Sequence, residues 1–120
     1  MTSKRSEKVA EAIHEIVSGL LVKGLKDPRI GFVTITGVSM TDDLHQARVF
    51  FSVIGSDTAK KESEQGLNSA KGFVRKEVAK NLRMRFAPDI LFVYDESIEQ
   101  GNRIESILKE ISRTEKVDDN

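Results

Sequence analysis

The chain has 120 residues with 19 basic and 19 acidic side chains, two prolines and no cysteine. That length fits one domain able to remove about two-thirds of its unfolded surface from water, and 38% hydrophobic with 32% charged residues describes a globular protein rather than a disordered one. The absence of cysteine excludes disulfides, thiolate metal sites and a cysteine nucleophile and suits a reducing cytoplasm. A charged, amphipathic start without an apolar signal core, and no long apolar run anywhere, argue against secretion and membrane spanning.

Ser3 or Ser6 can cap a first helix, whose apolar positions Val9, Ile13, Ile16, Val17, Leu20 and Leu21 keep helical spacing until Gly19 and Gly24 weaken its end. Asp27-Pro28 marks a turn. Residues 31–40 alternate Val33 and Ile35 with Thr34 and Thr36, a strand in which Gly37 shifts the phase and predicts a bulge. Thr41-Asp42-Asp43 has turn chemistry, and Ala47, Val49, Phe51 and Val53 share one face of a second strand over 45–54, so a hairpin is expected. Ser56-Asp57-Thr58 opens a helix that turns apolar at Leu67 and Ala70. Gly66 and Gly72 predict a discontinuity there, which reflects either close backbone approach or two tolerated glycines. A basic helix over 71–85 is stopped by Ala87-Pro88, Ile90–Tyr94 reads as a buried third strand, and Ser97 opens a last helix to Ile111, leaving a polar tail over 112–120.

The charges are segregated along this order. Residues 71–85 hold six basic groups and one acidic group, whereas residues 95–120 hold four basic and eight acidic groups. On the basic helix Val74, Val78 and Leu82 form the apolar stripe, which places Lys76, Lys80 and Arg83 on roughly the opposite face. The plain reading is a solvated face. A solvated face, however, normally mixes Glu with Lys at i,i+4 spacing, and only Glu77 is present, so the segment points toward an anionic partner, RNA foremost.

Catalytic raw material is thin. His14 reads as an exposed helix histidine flanked by Glu11, Glu15 and Ser18, and Asp42, Asp43 and His45 fall short of a coordination set, so neither a catalytic site nor a metal site is expected. No phosphate-binding glycine loop occurs, and no small-molecule substrate or cofactor is expected. Phe50, Phe51, Phe92 and Tyr94 lie in predicted strands, whereas Phe73, just after the kink and outside the apolar stripe of its helix, is an aromatic candidate for an exposed contact.

The order of elements resembles a type II KH domain, an α+β fold with a three-stranded mixed sheet packed against helices and a helix–kink–helix between strands 2 and 3. Several segments together resemble the ribosome-binding factor A family: Arg5 and Val9; Asp27-Pro28-Arg29; Val33-Thr34-Ile35-Thr36 with Val38; Asp43-Leu44 with Ala47; Leu67; Ala70-Lys71-Gly72; Arg75; and Pro88 with Phe92, Asp95 and Ser97. The resemblance covers roughly residues 3–111. That family carries an AxG kink, matched by Ala70-Lys71-Gly72, where RNA-binding KH domains carry a GxxG loop. The missing first glycine disfavours a flexible cradle for single strands and favours structured RNA.

The resemblance implies a KH-like ribosome-binding domain over 1–111 that binds the free small (30S) ribosomal subunit late in maturation. It also implies help in processing precursor 16S rRNA without cutting it and a role in cold adaptation; a cytoplasmic monomer is expected. Lys71, Arg75, Lys76, Lys80, Arg83 and Arg85 would neutralise phosphates, with Arg5, Lys8 and Arg29 extending the basic surface. The competing reading is a protein–protein adaptor whose basic helix is incidental.

Overall fold

Short runs of branched and aromatic residues that alternate in polarity can bury one face of a sheet, and helices with an apolar stripe can cover that face. The computed structural model describes residues 3–97 and follows this logic in the order α1 (Lys4–Lys23), β1 (Phe32–Met40), β2 (Gln46–Ile54), α2 (Asp57–Ser69), α3 (Lys71–Asn81) and β3 (Asp89–Tyr94). β2 is central, antiparallel to β1 and parallel to β3. The architecture is the α+β, type II KH-like arrangement expected from the order of elements. Among the described residues no helix is long and apolar enough to cross a membrane. The last helix expected to reach Ile111 and the polar tail over 112–120 lie outside the described residues beyond Ser97.

Register follows from which side chains are buried. Ala47, Val49 and Phe51 of β2 are fully buried and align with Ile90, Phe92 and Tyr94 of β3. Across the hairpin, Val33 faces Val53 and Met40 faces Ala47, with the register shifting between Ile35 and Gly37 so that Thr36 is the bulged residue. The bulge read from Gly37 is therefore present. Phe51 sits edge-on to Phe92 and Tyr94, with ring centroids 6.4 and 5.7 Å away. Ile13 and Val17 of α1, Leu67 of α2, and Val74 and Val78 of α3 close the core over this face.

α1 is capped by Ser3, whose hydroxyl accepts from the Ser6 amide at 3.1 Å, and ends at Gly24, whose φ of 84° is the left-handed conformation that glycine adopts without steric cost. His14 is not the free surface histidine expected from the sequence. Its ring is half-buried and Nε2 lies 3.1 Å from the Ile35 carbonyl, at the bulge where the ladder register is interrupted.

The discontinuity between α2 and α3 falls on Ala70, which has φ −83° and ψ −3°, and whose N–H still donates to the Gly66 carbonyl. The two glycines differ in role. A Cβ at Gly66 would lie 2.6 Å from Cγ1 of Ile30, because the loop from Asp27 to Gly31 crosses α2 there, whereas nothing lies within 4 Å of a Cβ at Gly72. Buried Ser63 fastens the same loop, its hydroxyl accepting from the Gly31 amide at 3.1 Å.

α3 is shorter than its apolar stripe predicts. It closes at Asn81 in a Schellman turn in which the Met84 amide donates to the Ala79 carbonyl at 2.9 Å and the Arg83 amide to the Lys80 carbonyl at 3.3 Å. Arg83 takes φ 50° at the position where glycine is usual. The expected helical reach to residue 85 is thus corrected: with neither Gly nor Asn there to mark the stop, tertiary demand ends the helix so that the chain can turn back to β3.

The glycine contrast gives a direct test. Gly66→Ala is expected to destabilise the fold by about 1–3 kcal/mol through overpacking against Ile30, while Gly72→Ala stabilises it by up to about 1 kcal/mol through helix propensity. Urea midpoints of the two variants check both signs.

Candidate nucleic-acid interface

A surface for a polyanion needs cations held outward and not already paired with carboxylates. The structure creates such a place where three elements meet: the first two turns of α1, the β1–β2 turn and the segment after α3. Asp42 in the turn pins the start of α1, its Oδ1 accepting the Ser3 amide at 2.8 Å and lying 3.2 Å from the buried Ser6 hydroxyl. The turn is itself tied down, the Thr41 hydroxyl donating to Asp43 Oδ1 at 2.7 Å and the His45 amide to the same oxygen at 3.0 Å. These bonds, the Thr41 hydroxyl first, hold the Asp43 carboxyl below its ordinary pKa. Between the elements lies a cleft of about 410 Å³ with Val9, Ala12, Leu44, Leu82 and Met84 as apolar lining and Arg5, Lys8, Arg83 and Arg85 as cations.

The nine cations singled out from the sequence fall into three groups. Arg5, Lys8, Arg83 and Arg85 converge on this cleft, all four exposed. Lys76 and Lys80 project as an exposed i,i+4 pair from α3, and Lys71 is half-buried at its first turn. Arg75 and Arg29 are engaged within the protein. Arg75 Nε donates to the Pro88 carbonyl at 3.1 Å and its guanidinium lies 3.4 Å from Asp89. Arg29 makes a forked pair with Asp27, at 3.0 and 2.6 Å, and donates to the Ser69 hydroxyl at 2.8 Å. Among the described residues no carboxylate pairs with Arg5, Lys8, Lys76, Lys80, Arg83 or Arg85.

Sequence reasoning passed over Phe86, which stands 69% exposed at the cleft with the Arg85 guanidinium 5.6 Å from its ring centroid. The signal was available: an aromatic residue directly after Arg83-Met84-Arg85 and outside any strand pattern. Phe73, the aromatic candidate from the sequence, is 51% exposed and borders a separate hollow with Leu20, Leu25 and Ala70 beside the kink.

Fold and surface together define a type II KH-like α+β domain with a one-sided sheet and a basic helical surface. The family model described as ribosome-binding factor A matches residues 5–108, and the chain belongs to the ribosome-binding factor A family. Relatives of that name include the protein of Geotalea uraniireducens, 72% identical over 116 residues and covering 97% of this chain and 95% of the relative. That of Geobacter metallireducens is 68% identical over 112 residues, covering 93% of this chain and 95% of the relative. Among solved structures, the solution structure of a Thermotoga maritima protein assigned to ribosome binding factor A superposes with a TM-score of 0.68 at 36% identity, covering 78% of this chain and 89% of that one. The crystal structure of ribosome-binding factor A from Thermus thermophilus shares the fold, with a TM-score of 0.63 at 18% identity over 74% of this chain and 94% of that one.

Two outcomes follow from the local geometry. Arg83→Gly relieves the left-handed strain at the end of α3 and is expected to raise stability by about 1 kcal/mol, seen as a higher urea midpoint. The Arg29 hydrogen bonds lower the Asp27 pKa to about 2. A depressed carboxyl contributes stability that is full above its unfolded value of about 4 and lost as pH falls through the folded value. The midpoint gap between wild type and Asp27→Asn should therefore be constant above about pH 4 and close progressively toward about pH 2.

Proposed function

We propose that this protein is a ribosome assembly factor that binds the free small (30S) ribosomal subunit late in its maturation and assists processing of precursor 16S rRNA without cutting RNA itself. The observation that carries the reading is family membership along residues 5–108. It is supported by a surface whose exposed cations, Lys76 and Lys80 on α3 and Arg83 and Arg85 beyond it, have no carboxylate partner among the described residues. A homology model of the Thermus thermophilus ribosome binding factor A has been fitted into a cryo-EM map of its complex with the 30S subunit. It shares this fold with a TM-score of 0.58 at 19% identity over 80% of this chain and 97% of that one. In this reading residues 1–111 are the ribosome-binding unit and 112–120 a polar tail. The protein acts as a cytoplasmic monomer without a cofactor, leaves before translation begins and supports growth in the cold.

The mechanism is electrostatic docking. Burial of Val74 and Val78 turns Lys76 and Lys80 outward, where they reach phosphates of folded rRNA, whose shape and backbone are more accessible than its base edges. Arg75 and Arg29, committed to Asp89 and Asp27, keep the recognition surface in shape and contribute little direct phosphate contact.

Co-sedimentation is the test. Wild type is expected to travel with free small subunits and not with large subunits or assembled ribosomes, and a folded Lys76→Glu, Lys80→Glu variant to lose at least ten-fold in affinity. With about four phosphates neutralised, log affinity should fall with log salt at a slope of about −3 to −4. Affinity that ignores salt, or a double variant that binds as wild type does, would remove this mechanism and favour a protein–protein adaptor.

A further inference from the structure

The cleft between the start of α1, the β1–β2 turn and the segment after α3 holds more than a cationic surface requires. Its lining joins four cations from two separate elements, an apolar floor from Val9, Leu82 and Met84, and the exposed ring of Phe86. Phosphate docking alone calls for the cations and would place no phenyl ring in water beside them. The backbone adds a second observation. The two non-glycine residues with positive φ among the described residues, Leu44 at 61° and Arg83 at 50°, both line this cleft. Each conformation is costly for a residue with a Cβ, and such positions cluster where a ligand is held. Both strained turns are fixed by hydrogen bonds, the Leu44 amide donating to the Thr41 carbonyl at 2.9 Å and the Arg83 amide to the Lys80 carbonyl at 3.3 Å. The walls are thus set before anything binds.

We propose that this cleft captures one unstacked, unpaired nucleotide of a folded RNA, its base lying on Phe86 over the apolar floor and its flanking phosphates held by Arg5, Lys8, Arg83 and Arg85. The proposal rests on the RNA-binding reading given above and assigns it a second point of contact, at the far end of α3 from the Ala70 kink. A volume of about 410 Å³ accommodates a nucleobase and excludes a duplex. An aromatic face stacks on any base, and cations on both sides follow the backbone in and out. Asp43 also lines the cleft, but its carboxylate already accepts from the Thr41 hydroxyl and the His45 amide and lies 3.5 Å from His45 Nδ1, so its repulsion of phosphate is blunted. The site is separate from the Lys76–Lys80 face of α3, whose exposed ring, Phe73, borders a different hollow beside the kink.

The experiment uses the full chain and two labelled RNA hairpins, identical except that one carries a single bulged 2-aminopurine, against wild type, Phe86→Ala and Phe86→Tyr. Expected is roughly ten-fold tighter binding of the bulged hairpin by wild type, with quenching of the 2-aminopurine signal. That preference, read as the ratio of the two affinities for each protein, and the quenching are lost in Phe86→Ala and kept in Phe86→Tyr. Because Phe86 is exposed, its truncation leaves the core untouched, which matching urea midpoints verify. If wild type binds both hairpins equally, or Phe86→Ala keeps the preference, the nucleotide site is overturned and the electrostatic reading stands. If wild type binds neither hairpin nor small subunits, both fall together.

Discussion

One-sided burial of a three-stranded sheet is the constraint on which the rest of this structure depends. Only the face carrying Ala47, Val49, Phe51, Ile90 and Phe92 is sealed by all three described helices, and Phe51 lies at its centre against two aromatic edges. A fully buried side chain of this kind contributes about 1.5–3 kcal/mol from apolar burial, with edge-to-face packing adding to it. A one-residue slip in β2 would carry the whole set to the open face, so the register is strongly fixed. Once it is fixed, the rotation of each helix is fixed as well. Val74 and Val78 must point at the sheet, and Lys76 and Lys80 must then point at water.

Around that core, polar pins decide where the loops go. Asp42 ties the start of α1 to the β1–β2 turn, Ser63 and Arg29 tie the loop before β1 to α2, and the Thr36 hydroxyl donates to Asp95 beyond β3 at 2.7 Å. The Asp95 carboxyl is held below its ordinary pKa by Ser97 first and Thr36 second, as suits an acceptor kept ionised. The exposed ion pair of Arg29 with Asp27 carries little net stability. The effect of these bonds is positional: Asp42 holds the start of α1 against the turn that borders the cleft, and the others fix loops elsewhere. Asp27 uses up the Arg29 charge that would otherwise be available to a ligand, as Asp89 does that of Arg75. This is why Arg29 and Arg75 differ from Lys76 and Lys80 although all four are basic.

Lys76 and Lys80 on α3, and Arg5, Lys8, Arg83 and Arg85 at the cleft, thus set cations without a carboxylate partner among the described residues on two different parts of one surface. The exposed pair on α3 supplies charge without shape, and the cleft beyond Asn81 supplies shape, charge and an aromatic face. The kink at Ala70 keeps helical hydrogen bonding on both sides, with Ala70 donating to Gly66 and accepting from Val74. The joint at one end of α3 is thus hydrogen-bonded on both sides, and the cleft at the other end is held by the turns at Leu44 and Arg83.

Order and type of elements were legible because hydrophobic periodicity is local: the Val33, Ile35 and Ala47, Val49, Phe51 alternations and the Val74, Val78 stripe state which face is buried. The bulge at Thr36 was signalled by Gly37, and the family could be read from combined motifs along the chain. The end of α3 was not legible, since a Schellman turn with arginine at its left-handed position leaves no glycine to mark it. The bond between His14 and the Ile35 carbonyl, the pairing of Arg29 with Asp27 and of Arg75 with Asp89, and the meeting of Arg5 and Lys8 with Arg83 and Arg85 depend on chain crossings and local turns that composition cannot encode. The sequence by itself determined the elements, their buried faces and the surplus of positive charge, because these follow from residue type and period. Tertiary structure decided which of those charges stand outward without a carboxylate partner among the described residues and which are held within the protein, because pairing depends on distance in space.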